Sequence, residues 1–126
     1  MAYLIDLKTF TDTRGNLTVI EKSIPFEIKR IFYIYGVDNS IRGGHRHHNT
    51  IQAAICLQGK CTIYNNNNVN ESEFVLDSPS KCLILAPEDW HQMYDFSHNA
   101  ILMVLASAFF DPNDYIYQKY DQNDRI

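Results

Sequence analysis

The sequence predicts an all-β fold, because short segments with strand periodicity recur along most of the chain. Segment 16–22 alternates, with Leu17 and Val19 on one face, and segment 28–37 is rich in β-branched and aromatic residues. Turn-forming residues separate such segments at intervals of roughly ten residues, a spacing typical of β-sandwiches and β-barrels. Further strands are predicted over 51–59, 60–65, 73–78, 81–87, 91–96 and 100–107.

The segments outside the predicted strands are interpreted as turns, loops and a C-terminal tail. The run Asn65–Asn68 lies between two predicted strands, so it is interpreted as a hairpin loop rather than a low-complexity tract. Segment 111–126 is predicted to be helical or irregular, and Asp111 followed by Pro112 suits a helix N-cap and first turn. No linker and no repeat interrupts the chain, so residues 1–126 are expected to form one domain.

Composition narrows the classes of function. The net charge of −4 argues against an extended basic surface for nucleic acid. No apolar run approaches the ~18 residues of a membrane span, and residues 1–6 lack the basic start and apolar core of a signal peptide. Three cysteines in strand-like segments are expected to be reduced core residues, so we expect a cytoplasmic protein without a membrane partner: Cys56, Cys61 and Cys82.

Three histidines lie close together in the stretch RGGHRHH, residues 42–48. In an extended segment alternate residues share a face, so His45 and His47 point one way and His48 points the other. Gly43 and Gly44 just before them allow a close approach of backbone or ligand. The stretch is therefore either a site that uses two imidazoles or a solvated polar loop that is rich in histidine.

A further histidine, His91, opens a predicted strand after the turn Pro-Glu-Asp. In a small β-barrel, two histidine sites that each open a strand beside a turn can meet at the mouth of the barrel. A core histidine that donates to a backbone carbonyl is the alternative for His91. His98 lies in the loop Phe-Ser-His-Asn-Ala and is expected to be a surface residue.

These motifs resemble those of the cupin superfamily. The H-x-H pair, the polar residue Gln52 and Gly59 are similar to the first cupin motif, and PEDWH is similar to the second. In metal-binding cupins the position of Gln52 is usually glutamate, which supplies an anionic ligand. Gln52 offers only a neutral carbonyl, so a metal site is disfavoured, although a three-histidine site stays open.

A more extensive resemblance, over almost the whole chain, is to the nucleotide-sugar 3,4-ketoisomerases. It runs through DTRGNLTVIE, IPFEIKRIFYIYGV, RGGHRHHNTIQAAICLQGKC, LDSPSKCLILAPEDWHQMYDFS and MVLASAFFDPNDYI. The resemblance implies a cupin jelly roll and conversion of dTDP-4-keto-6-deoxyglucose to a 3-keto sugar on the route to 3-amino-3,6-dideoxy sugars. It also implies that neither a metal nor an organic cofactor is needed, and that the protein is a homodimer with N-terminal strand exchange.

The same resemblance implies roles for individual residues. His45 matches the family's catalytic base, His47 matches its partner, and Tyr33 matches a tyrosine suggested as a proton shuttle. Arg42 matches an arginine beside the glycine turn whose planar fork suits sugar or diphosphate oxygens. His91 matches a histidine of the cleft.

Other candidate substrate-binding residues come from the flanking segments. Arg14 lies in the sequence DTRG, which resembles a loop near the ligand, and Gly15 permits a turn there. Arg30 is an alternative partner for the diphosphate, because only one of the adjacent Lys29 and Arg30 can face inward. Gln52 completes the substrate-binding set.

Three alternatives remain open. A dTDP-4-keto-6-deoxyhexose 3,5-epimerase shares the fold but pairs its base with an aspartate and uses a catalytic lysine, and the strand after H-x-H has no lysine before Lys60. The others are a metal-dependent cupin enzyme and a non-catalytic sugar-binding cupin. The sequence TRG resembles the ketoisomerase branch that forms the galacto-configured product.

Overall fold

The computed structural model describes residues 1–121. This part of the chain contains twelve β-strands and one short 3-10 helix, Pro112–Asp114. The strands are β1 (Tyr3–Asp6), β2 (Lys8–Asp12), β3 (Gly15–Val19), β4 (Arg30–Tyr35), β5 (Arg42–His47), β6 (Gln52–Gln58), β7 (Cys61–Asn66), β8 (Glu71–Leu76), β9 (Lys81–Leu85), β10 (Trp90–Tyr94), β11 (Ile101–Ala106) and β12 (Tyr115–Ile116).

Ten of the strands form two five-stranded sheets. The first sheet has the order β1-β9-β6-β11-β4 and the second has the order β12-β5-β10-β7-β8, while β2 and β3 form a separate hairpin. All of their pairings are antiparallel. The all-β jelly roll of the cupin type, predicted from the sequence, is confirmed.

The central strands of the first sheet are covered on both faces, which explains why they are almost continuously apolar. In β6, Ala54 and Cys56 face the space between the two sheets, where Ile63 and Met93 of the second sheet meet them. The alternate β6 residues face the opposite way, into a second cluster formed with the N-terminal segment, which includes Ala53, Ile55, Leu7, Ile20, Ile24 and Phe26. The candidate site lies in the space between the sheets.

The eight predicted strands are present, with ends that differ by up to three residues. The structure adds β1, β2, β12 and a full strand β5 through the histidine stretch. In the tail, Asp111 caps the 3-10 helix by accepting from the Asn113 amide at 3.0 Å, and a short strand follows. Segment 122–126 of the predicted tail lies outside the described residues.

The three cysteines are buried and free, as expected for core residues. Across residues 1–121, no helix has the length and apolarity required to cross a bilayer.

Candidate active site

The histidines of the two motifs meet on neighbouring strands of the second sheet. His45 of β5 lies directly opposite His91 of β10 in the strand register, and their ring centroids are 4.9 Å apart. The ring of His47, two residues further along β5, lies 5.1 Å from that of His45. The expectation that the H-x-H pair shares a face, and that His91 joins it, is confirmed. His48 is exposed.

A backbone irregularity places this cluster. The register between β5 and β10 shifts between His91 and Gln92, where Gly43 and Gly44 adopt φ of +83° and +84°. A Cβ on Gly43 would lie 2.9 Å from the backbone oxygen of His91, closer than real Cβ contacts allow. The two glycines therefore allow β5 to approach β10 and bring His45 over His91.

Two histidines of the cluster are held by hydrogen-bond acceptors. His47 Nδ1 lies 2.9 Å from Asp114 Oδ2, and His91 Nδ1 lies 3.0 Å from the Asp89 carbonyl oxygen. The backbone of Gly43 acts to raise the pKa of His45, against the larger effect of burial. Because a carboxylate or carbonyl can only accept, the Nδ1 atoms of His47 and His91 donate and their Nε2 atoms carry the lone pair. Both Nε2 atoms are buried without a hydrogen-bond partner among residues 1–121.

Burial keeps these imidazoles neutral. It lowers the pKa of His45 to about 4, helped by the proximity of His47, and lowers the pKa of His91 to about 3. Burial also lowers the pKa of His47, but the hydrogen bond and charge of Asp114 act in the opposite direction. At neutral pH the cluster therefore holds proton acceptors rather than imidazolium ions.

These pKa shifts predict a pH-dependent stability. In the unfolded chain His45 and His91 regain an ordinary pKa of about 6.5. Between about pH 6.5 and pH 4 the unfolded state therefore binds more protons than the folded state. The free energy of unfolding should fall as the pH falls through this window, by at most about 1.4 kcal/mol per pH unit for each histidine. Urea denaturation at pH 7, 6 and 5 measures this slope, and His91→Asn should flatten it; an equal slope in that variant contradicts the account.

Asp114 is anchored by three donors besides its own backbone contacts. Oδ2 accepts from His47 and from the Thr50 hydroxyl, and Oδ1 accepts from the Asn49 amide at 2.8 Å. Burial raises the pKa of this carboxyl, but the hydrogen bonds from Thr50, Asn49 and His47 outweigh it and leave the pKa lowered. Asp114 is therefore an anion beside a neutral imidazole. It was not among the sequence-predicted site residues.

Two tyrosines of the C-terminal segment form an aromatic wall over the cluster. Tyr115 pairs with His47 in the register of β12 and β5, and its ring lies 4.8 Å from His45 and 4.6 Å from His47. The ring of Tyr117 stacks on Tyr115 and lies 6.2 Å from His45. Tyr115 and Tyr117 alternate in the sequence, but two aromatic residues are too few to establish strand periodicity.

The first sheet contributes polar groups to the same space. Arg30 shares the inward face of β4 with Phe32, and its charge lowers the pKa of both His45 and His47. Gln52 is buried on the face of β6 that carries Ala54. Arg30 Nε and Gln52 Oε1 are buried and have no hydrogen-bond partner within residues 1–121, although the Arg30 guanidinium lies 5.3 Å from the ring centre of Phe32. Only one of the adjacent residues Lys29 and Arg30 can face inward, and in the structure it is Arg30.

A second buried amide lies on the other side of the cluster. Asn65 of β7 is the register partner of His91 and is 4% exposed. Its Oδ1 is a further buried atom with no hydrogen-bond partner in the described chain. Asn65 is the last residue of the strand predicted over 60–65 and the first of the Asn65–Asn68 run, and in the structure it lies within β7.

Other sequence-predicted site residues lie elsewhere in the single chain. Tyr33 is on the outer face of β4, 63% exposed, with its ring stacked on Tyr35. Arg42 is exposed at the start of β5. Arg14 lies at the turn of the β2–β3 hairpin, where its guanidinium is 2.6 Å from Asp12 Oδ2. The structure brings together His45, His47, His91 and Arg30, and it places Gln52 on the inward face of β6. It does not bring Tyr33 or Arg14 to the histidines.

No set of three or more His, Cys, Asp or Glu side chains within residues 1–121 is arranged to hold a metal ion. In the cluster, the Nε2 lone pairs of His47 and His91 are fixed in direction. The buried amide and guanidinium groups around them include atoms without a hydrogen-bond partner among the described residues. Together these groups can accept protons from a substrate and stabilise a developing negative charge.

Comparison with known proteins agrees with this geometry. The family model described as FdtA, WxcM-like, C-terminal, matches residues 2–125. The chain is 42% identical over 121 residues to a TDP-4-oxo-6-deoxy-alpha-D-glucose-3,4-oxoisomerase from Aneurinibacillus thermoaerophilus, covering 94% of this chain and 86% of that protein. The chain belongs to the nucleotide-sugar 3,4-ketoisomerase family.

Solved structures support the same family. A 3,4-ketoisomerase from Helicobacter canadensis superposes with a TM-score of 0.89 at 38% identity, over 93% of this chain and 90% of the other. A mutant of the 3,4-ketoisomerase from Thermoanaerobacterium thermosaccharolyticum, solved in complex with TDP-4-keto-6-deoxyglucose, superposes with a TM-score of 0.90 at 39% identity. The latter match covers 93% of this chain and 87% of the other. This member of the ketoisomerase family is thus an isomerase by relationship and by fold.

Proposed function

We propose that this ketoisomerase family member converts dTDP-4-keto-6-deoxyglucose to a dTDP-3-keto-6-deoxyhexose, a precursor of 3-amino-3,6-dideoxy sugars. The observation that supports this most directly is the cluster of His45, His47 and His91, whose neutral rings lie within a buried polar space. A protein 42% identical to this one carries the name of the same reaction.

The reaction requires two proton transfers and no oxidant. A proton is removed from C3 and a proton is added to C4, and the hydroxyl proton moves from the C3 oxygen to the C4 oxygen, through an enediolate. The base that removes the C3 proton exchanges it with solvent and delivers a proton to C4, so it ends the cycle as it began. A second group must carry the oxygen proton. The net change is an internal redox exchange between two carbons, which needs no cofactor.

The two histidines of β5 suit these two tasks. We assign the carbon proton to His45, which lies at the centre of the cluster and is neutral at pH 7. His47, with its Nε2 free and its Nδ1 bonded to Asp114, would carry the oxygen proton. Tyr33, the shuttle implied by resemblance, faces away from the cluster in the single chain, so it could act only where another copy completes the site.

The remaining groups would bind substrate. Arg30 and Gln52 would contact the sugar, because Arg30 Nε and Gln52 Oε1 lack hydrogen-bond partners among residues 1–121, and the guanidinium of Arg30 would stabilise the enediolate oxygens. His91 Nε2 would accept from a sugar hydroxyl. Arg42, which is exposed, would hold the diphosphate, and Arg14 could join it only from a second copy of the chain.

Incubation with dTDP-4-keto-6-deoxyglucose in D₂O tests this proposal. A ketoisomerase moves the carbonyl to C3 and places deuterium at C4, a 3,5-epimerase labels C3 and C5, and a sugar-binding protein labels neither. The structure contains one feature of the epimerases, a histidine paired with an aspartate, but Lys60 is exposed beyond the Gly59 turn. Label at C3 and C5 with the carbonyl still at C4 would contradict the proposal.

The configuration of the product at C4 depends on which face of the enediolate receives the proton. We propose the galacto-configured product, from the sequence TRG around Arg14. The coupling between the C4 and C5 protons of the product, measured by NMR in H₂O, distinguishes an axial from an equatorial hydroxyl at C4.

We further propose a homodimer with N-terminal strand exchange. Strand β4 is an edge of the first sheet, and its outward side chains Ile31, Tyr33 and Tyr35 are exposed. The separate β2–β3 hairpin exposes Phe10 and Leu17, and an isolated hairpin is only marginally stable in water. A second copy whose hairpin covers this edge would remove both exposures, and it could carry Arg14 to the neighbouring subunit.

Light scattering coupled to gel filtration tests the dimer. The wild type should have twice the mass of the chain, and the double variant Phe10→Ser, Leu17→Ser should shift toward the monomer, because each change removes apolar area from the interface. Val69→Ser, which alters an exposed apolar residue of the β7–β8 loop, is the matched control and should stay dimeric. A monomeric wild type would exclude the strand exchange.

We place the protein in the cytoplasm. The structure gives this proposal one support, since Cys56, Cys61 and Cys82 are all free thiols, as is usual in a reducing compartment.

A further inference from the structure

We propose that Asp114 is a positioning residue of the active site, which fixes the tautomer and ring orientation of His47 and so makes His47 Nε2 the proton acceptor. This inference rests on the proposed ketoisomerase function. It means that the C-terminal segment, and not the sheet alone, completes the catalytic apparatus.

The hydrogen bonds of Asp114 leave its carboxylate one orientation. Oδ1 accepts from the Asn49 amide and Oδ2 accepts from both the Thr50 hydroxyl and His47 Nδ1. The backbone contributes as well, since the His48 amide donates to the Asp114 carbonyl at 2.9 Å. Asp114 and His47 are 9% and 4% exposed, so water cannot readily replace these contacts. A carboxylate held in this way requires His47 to keep its proton on Nδ1.

The alternative tautomer would remove the acceptor. If the proton moved to Nε2, the lone pair of Nδ1 would face the carboxylate lone pairs of Asp114, and Nε2 could no longer accept from the substrate. His47 Nε2 is buried without a partner among residues 1–121, and it faces the side of the ring away from Asp114. The geometry is therefore that of an orienting carboxylate behind a general base.

Among residues 1–121, the other charged or titratable groups around His47 come from four elements. They are His45 of β5, His91 of β10, Tyr115 of β12 and Arg30 of β4. Arg30 lowers the pKa of His47, and Asp114 is the group that raises it. Removing the charge of Asp114 should therefore lower the pKa of His47 further.

The variant Asp114→Asn keeps the size of the side chain at position 114 and changes the hydrogen bond that orients His47. The Asn49 amide can only donate, so the amide oxygen of the new side chain stays at the Asn49 position and its NH₂ group faces Thr50 and His47. The NH₂ group would donate to His47 Nδ1 and drive the ring proton to Nε2. We expect kcat to fall by about 100-fold with KM changed by less than about 3-fold, and the acid limb of the kcat profile to move to lower pH.

Asp111→Asn is the matched control, because it makes the same change at the exposed cap of the same 3-10 helix. It should keep wild-type activity. Nitrogen-15 NMR of the histidine rings supplies a readout independent of activity: His47 should be protonated on Nδ1 in the wild type and on Nε2 in Asp114→Asn. The wild-type spectrum decides the tautomer even if Asp114→Asn fails to fold.

Three results would overturn the inference. They are a wild-type His47 protonated on Nε2, an Asp114→Asn variant with unchanged kcat, and an equal loss of activity in Asp111→Asn. A wild type that leaves the carbonyl at C4 in D₂O would instead refute the proposed function. The NMR measurement would still decide whether Asp114 orients His47.

Discussion

Replacing His45 with asparagine is expected to lower kcat for 3,4-ketoisomerisation by about 1,000-fold, with a small change in KM. His45 lies between His47 and His91, at ring distances of 5.1 and 4.9 Å, so no other imidazole occupies its position. Asparagine preserves polarity but has no lone pair on nitrogen with which to take the C3 proton. General-base catalysis contributes about 10² to 10⁴ in rate, which sets the expected loss.

The measurement is the rate of carbonyl movement, followed with the rate of deuterium incorporation at C4. His98→Asn is the matched control, because it removes an exposed histidine of the β10–β11 loop and should leave kcat unchanged. If His45→Asn kept full isomerisation, the assignment of the carbon base to His45 would be wrong. If His47→Asn lost deuterium incorporation at C4 and His45→Asn did not, removal of the C3 proton would be assigned to His47.

Strand alternation was sufficient to predict the centre of the site. The H-x-H spacing placed His45 and His47 on one face, and the structure confirms it. The same rule could have gone further, because Arg30 and Tyr33 are three positions apart on one strand and must point to opposite faces. Tyr33 was named as a site residue from the resemblance and Arg30 as an alternative partner for the diphosphate, but within one chain only Arg30 faces the histidines.

The carboxylate and the aromatic wall could not be found in this way. Asp114 is 67 residues from His47 in sequence, and the two meet only because a two-residue strand, β12, pairs with the edge of β5. A strand so short has no periodicity to detect, and Asp-Pro-Asn-Asp is an ordinary helix-capping sequence. The tertiary path of the tail, rather than any local signal, determines this part of the site.

The Gly43→Ala variant is expected to reduce the free energy of unfolding by about 3 kcal/mol. About 1 kcal/mol of this is the cost of placing an alanine at φ of +83°. The rest arises because the new Cβ would lie 2.9 Å from the backbone oxygen of His91, so β5 and β10 must move apart. Because a backbone atom cannot rotate away as a side chain can, the separation should also displace His91 relative to His45.

Gly36→Ala is the matched control for this variant. Gly36 also has positive φ, +69°, but a Cβ there would meet no atom within 4 Å. Its loss of stability should therefore be about 1 kcal/mol, from the backbone alone. Urea denaturation measures the difference between the two variants, and kcat should fall only in Gly43→Ala. Equal losses of stability in the two would show that the close approach at Gly43 costs nothing, and the glycine pair would not be what brings the histidines together.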